Sequence, residues 1–262
     1  MGDISYKPLI DDMTFSYSRI NSYADCPYMW KLKYIDGEKG EEKFYASYGS
    51  LVHEILAKYY NGEVTKSELP VEFLSSYSTG IKGLRPSGNI VDKYIHSAVD
   101  YFRRFKDFGL SPVLVESKVD FEVEGILMTG IIDFLGKDDD GKYYIVDHKS
   151  HQLEQRSKRL KPTKKDMELD AYLRQLYLYS KPIKEMYGEF PSELWFNCYR
   201  SGTIIKEKFD NKKYEEALKW AVETVDTIKN DTEFEAKYNY FYCRWLCEQS
   251  CNCDVFEEEM GR

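Results

Sequence analysis

The chain has 262 residues, of which 42% are hydrophobic and 31% charged, with a formal net charge of −8. That length and apolar content suit one large domain with its own core. The acidic balance excludes a protein that coats nucleic acid over its whole surface, though not one with a local basic groove.

No apolar run approaches the roughly 18 residues that cross a bilayer, and the first residues lack a charged-then-apolar secretory layout, so the reading is cytoplasmic. Residues 1–14 read as a loose leader. Ser16 or Ser18 caps a helix through Ile20 and Tyr23 to Tyr34, broken near Pro27, with Cys26 at the break. A second helix spans 46–60, with Leu51, Val52, Ile55, Leu56 and Tyr59 on its apolar side. His53 lies off that stripe, and Gly49, one turn earlier, leaves room beside the imidazole. Residues 62–89, with two prolines, four glycines and a weak helical signal at 71–77, read as an insertion. A helix at 90–108 is ended by Gly109.

Strands follow at 113–123, 126–136 and 142–147. The last two are joined through Asp-Asp-Asp-Gly, which is strong turn chemistry. Polar residues then appear where a core strand should be apolar: Asp133 interrupts Ile131, Ile132, Phe134 and Leu135, and Asp147 and Lys149 share one face at the end of the next strand. A buried carboxylate is costly unless it is paired or binds a metal. If Asp139, Asp140 and Gly141 form a three-residue loop with Gly141 left-handed, Asp138 faces Lys142 and Asp133 lies opposite Asp147 on the same face. A two-residue loop sends the acids to opposite faces. The hypothesis is a metal-binding acid pair with a lysine beside it, and it requires the longer loop. Glu116, in Val-Leu-Val-Glu-Ser, is a candidate further acid.

Arg156 to Lys165 holds six Lys or Arg in ten positions. It reads either as a solvated charge run or as a phosphate contact beside the acid site. A long helix at 166–187 places Gln175 and Tyr179 one turn apart on one face. A second hairpin, 193–200 and 203–209, turns at Ser201-Gly202, and a last helix covers 211–228. Most of the 23 tyrosines fall at amphipathic positions and read as core or rim. Four of the six cysteines, Cys243, Cys247, Cys251 and Cys253, crowd into eleven residues, which in a cytosolic chain points to metal rather than disulfides. Cys198 reads as buried and inert.

His53 in Gly-Ser-Leu-Val-His-Glu, Asp133 in Gly-Ile-Ile-Asp-Phe, Asp147-His148-Lys149 and Gln175-Leu-Tyr-Leu-Tyr179 together resemble the ordered motifs of the RecB-like branch of the PD-(D/E)XK nucleases. The N-terminal Ser-Tyr-Ser-Arg-Ile-Asn-Ser-Tyr-Ala-Asp-Cys-Pro is similar to members with an iron–sulfur cluster, including the AddB nuclease domain and exonucleases of CRISPR adaptation. The resemblance covers about residues 15–257 and implies an α/β (α+β) restriction-endonuclease-like core, a mixed sheet flanked by helices. It implies a single nuclease domain over 1–262, with 15–35 and 238–256 forming a cysteine-rich metal region that joins the two ends.

It also implies roles. Asp133, Asp147 and Lys149 are catalytic. His53, Asp133, Asp147 and the His148 backbone carbonyl hold Mg²⁺ or Mn²⁺, and Gln175 and Tyr179 position substrate. Cys26, Cys243, Cys247 and Cys253 hold a 4Fe–4S cluster, with zinc as the chemical alternative and Cys251 spare. The implied activity is a DNA exonuclease acting on single strands or ends in recombination, repair, phage DNA processing or CRISPR adaptation, partnered by a helicase, recombination or adaptation protein. The competing reading is a non-catalytic DNA-binding scaffold with the same fold.

Overall fold

The computed structural model describes residues 6–261. In chain order come helices α1 Lys7–Asp11, α2 Tyr17–Asp25, α3 Pro27–Tyr34, α4 Phe44–Tyr60, α5 Leu69–Gly80 and α6 Gly88–Arg104. Strands β1 Ser111–Val123, β2 Ile126–Lys137 and β3 Tyr143–Lys149 follow, then α7 Lys164–Tyr187, β4 Glu193–Cys198, β5 Thr203–Lys208, α8 Asn211–Asn230 and short helices α9 Tyr240–Trp245 and α10 Asp254–Met260. The strands form one sheet in sequence order. Neighbours are antiparallel except β3 and β4, which are parallel. A parallel pair needs a long crossover, and the 24-residue α7 supplies it.

Each face of the sheet is covered. On one, Ile132, Ile145 and Phe196 pack with Leu169, Leu173 and Leu176 of α7 and with Ala221 and Val225 of α8. On the other, Phe134, Val146 and Trp195 pack with Leu110. Beyond them α4, α5 and α6 share a second core built on Tyr48, Leu51, Ile55, Phe73 and Phe102. A strand enclosed on both faces needs the near-continuous apolar run that Ile145-Val146 provides. No helix among the described residues is long and apolar enough to cross a membrane.

Three expectations change. Ile10, inside the supposed leader, is fully buried in the main core, and Phe15 bridges to Met128 beside it. One such side chain is worth about 2 kcal/mol, so residues 6–14 belong to the fold; residues 1–5 lie outside the described ones. Residues 62–89 contain the whole of α5, whose Leu69, Phe73 and Tyr77 are core residues. The helix expected at 90–108 stops at Arg104 because Phe105, 2% exposed, turns inward against Tyr59 and Phe108.

The basic run joins α7 through its cap. Thr163 Oγ1 accepts from Asp166 N–H at 3.2 Å, and Asp166 Oδ2 accepts from Thr163 N–H at 2.7 Å, a reciprocal capping box. Asp166 also accepts from Ser157 N–H and Oγ. These donors, led by the Ser157 and Thr163 amides, hold its carboxyl far below the usual range. The stabilisation is therefore present above the ordinary carboxylate pKa and is lost as pH falls through the lower folded value. Thr163→Ala is expected to cost about 1 kcal/mol, read as a lower urea midpoint with unchanged slope.

Candidate active site

The β2–β3 turn closes as the sequence requires. Gly141 is left-handed at φ 86°, Gly141 N–H donates to Asp138 O, and Asp138 N–H donates to Lys142 O, both at 3.0 Å. The pairs run from Lys137–Tyr143 to Phe134–Val146, so the same register sets Asp133 opposite Asp147. Here the Asp133 carboxylate enters the ladder, its Oδ2 accepting from His148 N–H at 2.7 Å. On the other side, Val115–Phe134 and Ser117–Ile132 place Glu116 opposite Asp133. Glu116 has φ +41°, a strained backbone of the kind that collects at functional sites. Three carboxylates thus stand in a row across β1, β2 and β3.

One cation comes from α4 and the other from the end of β3 itself. His53, on α4, has Nδ1 3.2 Å from Glu116 Oε1 and 3.5 Å from Asp133 Oδ2, and its Nε2 is 3.0 Å from His148 O. Lys149 Nζ lies 2.8 Å from Asp147 Oδ2 and donates to Gln175 Oε1 at 3.0 Å. Burial would push His53 down, but Asp133 and Glu116 outweigh it and lift the imidazole to about 9. Burial raises Asp133 above the usual carboxylate range, and Asp147 raises it further. Lys149 is likewise lowered by burial but held above its ordinary value by Asp147, so it stays an ammonium.

Glu116 Oε1 and Asp147 Oδ2 are shut off from solvent with only these cationic neighbours and no hydrogen bond of good geometry. Buried acceptors of that kind suit a cation. The ligand atoms of His53, Glu116 and Asp133 lie within 4.8 Å of one another. Two carboxylate oxygens and an imidazole nitrogen are donors that Mg²⁺ or, better, Mn²⁺ accepts.

The structure gathers His53, Asp133, Asp147, His148, Lys149 and Gln175 at this end of the sheet. Tyr179 sits behind them, 5% exposed. Its ring rests on Gly130, where an added Cβ would come 2.3 Å from Tyr179 Cε1. Burial, then Asp147, raises the phenol to about 12, so it stays protonated. Gly130→Ala is expected to cost about 1–3 kcal/mol by overpacking and to shift Tyr179 and Gln175. A thermal melt and a cleavage assay on one preparation check both effects.

Glu116, a candidate further acid in the sequence, stands with the site, and one contributor was not picked out from the sequence. Asn197, 1% exposed, donates to Tyr101 Oη at 2.7 Å and lies 3.1 Å from His148 Nδ1, which fixes the residue whose N–H and C=O serve Asp133 and His53. Burial, with His53 and Lys149 nearby, keeps His148 neutral, so its Nδ1 accepts from Asn197 Nδ2. The in-register strand position of Asn197 was the available signal.

The cysteines form a separate centre. Cys26, between α2 and α3, has Sγ accepting from Met29 N–H at 3.5 Å and Lys237 N–H at 3.4 Å. Cys26, Cys243, Cys247 and Cys253 line one cavity with Met29 and Tyr242, whereas Cys251 is exposed with its thiol toward Glu248 O. Burial pushes Cys247 up to about 12, with Cys243, Cys26 and Cys253 adding to the effect. Two amides aimed at Cys26, one of them from the start of α3, suit a sulfur that carries negative charge, as a metal ligand does.

A mixed sheet under helices on both faces, with acids and a lysine meeting at the end of its parallel pair, is the architecture of a nuclease core. The chain belongs to the PD-(D/E)XK nuclease superfamily, whose family model matches residues 14–254. Its fold is similar to the crystal structure of a "Putative exonuclease" from Eubacterium rectale, 14% identical, covering 97% of this chain and 90% of that one with a TM-score of 0.52. SSO0001, 15% identical over 78% of this chain and 83% of its own, gives a TM-score of 0.32, too low to carry an argument. No curated protein matches the sequence.

Proposed function

We propose that the chain is a divalent-metal-dependent deoxyribonuclease that works as an exonuclease on single-stranded or end-containing DNA. The observation that carries this reading is the convergence of Glu116, Asp133 and Asp147 with His53 and Lys149 in a family of nucleases. Asp133, Asp147 and the His148 carbonyl would hold the metal together with His53, whose Nδ1 proton the cation would displace on binding, and Glu116 would join them. When bound, the cation lowers the pKa of a water and neutralises phosphoryl charge.

The protein's own groups do the rest. Lys149, kept charged by Asp147 and aimed by Gln175, orients the attacking water and offsets charge on the phosphoryl oxygens as the phosphorus–oxygen bond breaks. An ammonium in this setting is an electrostatic group rather than a base. Two members of the basic run are spent on structure: Arg156 binds Asp170 and Glu207, and Lys165 pairs with Glu154. Lys158, Arg159, Lys161 and Lys164 are exposed, have no acidic partner among the described residues and reach for the DNA backbone. The four cavity cysteines hold a 4Fe–4S cluster that fastens the two ends of the domain, and a helicase, recombination or CRISPR-adaptation protein delivers the DNA.

The test uses end-labelled linear and covalently circular single-stranded DNA with Mn²⁺ or Mg²⁺. Linear strands shortened from an end, with circles spared and EDTA blocking the reaction, are the expected result. Cleaved circles would make the enzyme an endonuclease, and no cleavage of either would remove the catalytic reading.

A further inference from the structure

Outside the carboxylate site, four side chains from three helices and the β4–β5 turn form a continuous stripe. The Arg200 guanidinium lies 3.8 Å from the centroid of the Tyr94 ring. Tyr94 and Tyr45 have centroids 5.3 Å apart, and Tyr45 and Phe241 6.3 Å. Most aromatics of this chain are consumed by its cores, but these keep surface in solvent. Phe241 is 55% exposed and its neighbour Tyr240 51%, Arg200 is exposed, and Tyr45 and Tyr94 are half-buried. Arg200 has no carboxylate partner among the described residues and donates instead to Tyr94 Oη at 2.9 Å.

The stripe flanks the site. Tyr45 precedes His53 by eight residues on α4, which is about 12 Å along the axis. Arg200 follows Tyr199, whose N–H bonds the carbonyl of Lys149 at 3.2 Å. Beside Arg200, a cavity is lined by Arg104 and Lys106 against one acid, Asp100. With Arg200, the lining of that cavity therefore carries an excess of positive charge in an acidic protein.

We propose that the stripe binds single-stranded nucleic acid, with bases stacking on Phe241 and Tyr45 and phosphates meeting Arg200, Arg104 and Lys106, and that it guides the strand to the carboxylates. An exposed ring accepts the face of any base, so stacking needs no sequence. A guanidinium laid on a ring, with one N–H given to Tyr94 Oη, keeps its remaining edge donors for phosphate. Duplex DNA hides its base faces and gains nothing from the rings. The direction of travel rests on the nuclease reading; the binding itself does not.

Fluorescence anisotropy with labelled oligothymidine, and with a blunt duplex for comparison, measures the binding in EDTA so that nothing is cleaved. Phe241→Ala and Arg200→Ala are each expected to weaken oligothymidine binding about tenfold and to leave duplex binding unchanged. Phe241→Tyr, which keeps the ring, should bind like the wild type, and circular dichroism verifies the fold of all three. Wild-type protein that does not bind oligothymidine, equal affinity in wild type and both alanine variants, or an equal loss for duplex and single strand overturns the proposal. Cleavage that persists while the stripe proves irrelevant removes this inference alone. Stripe-dependent binding without cleavage in metal removes only the catalytic reading.

Discussion

Lys149→Ala is expected to reduce DNA cleavage about a hundred- to a thousandfold, the scale for losing one preorganised charge-stabilising group. The ammonium lies 2.8 Å from Asp147 and is aimed by Gln175, so no neighbour can replace it. Asp147→Asn should be equally inactive. Lys149→Arg should not rescue, because a guanidinium is planar and longer where the site fits a compact ammonium. Binding has to be read separately: in EDTA, oligothymidine affinity should survive both substitutions.

The same variants report on the metal. Removing one partner of a buried ion pair leaves the other charge uncompensated, which costs about 3–5 kcal/mol. Without metal, the Lys149→Ala protein should therefore melt well below wild type. Mn²⁺ should raise the wild-type melting temperature by mass action and raise that of Asp147→Asn much less. Wild-type rates in both variants would end the assignment.

Cys26→Ser should have the largest effect on stability. Anaerobically purified wild-type protein is expected to be brown with broad visible absorption, and the variant colourless and poorly soluble. Metal held between the ends of a domain contributes its binding free energy to folding. Cys251→Ser, at an exposed thiol turned away from the cavity, should keep the colour. A colourless wild type with stoichiometric zinc would replace the cluster with zinc and leave the nuclease reading standing.

The hairpin was legible because its information is local. Asp-Asp-Asp-Gly marks the turn, and the loop length, which the structure shows to be three residues, decides whether Asp133 and Asp147 share a face. Glu116 was harder to place because its register depends on an irregularity between Pro112 and Leu114, and periodicity does not locate a bulge. Ile10 and α5 were misread for another reason. Their neighbours are polar or turn-forming, and burial of a few apolar residues is decided by distant partners such as α8 and α6. Tyr179 shares a helical face with Gln175, yet only the close approach of Gly130 shows that it packs behind the site.

Cys26 and its cavity partners also set a timescale. Cys253 lies 227 residues downstream of Cys26, an interval that takes roughly 10–45 s to synthesise at ordinary rates. Closing a loop of that length costs about 5 kcal/mol of chain entropy. Through that interval Cys26 lacks the C-terminal residues that bury it, Lys237 N–H among them, and stays open to oxidation. Nascent chains stalled before residue 243 should expose a reactive Cys26 that the finished protein shields.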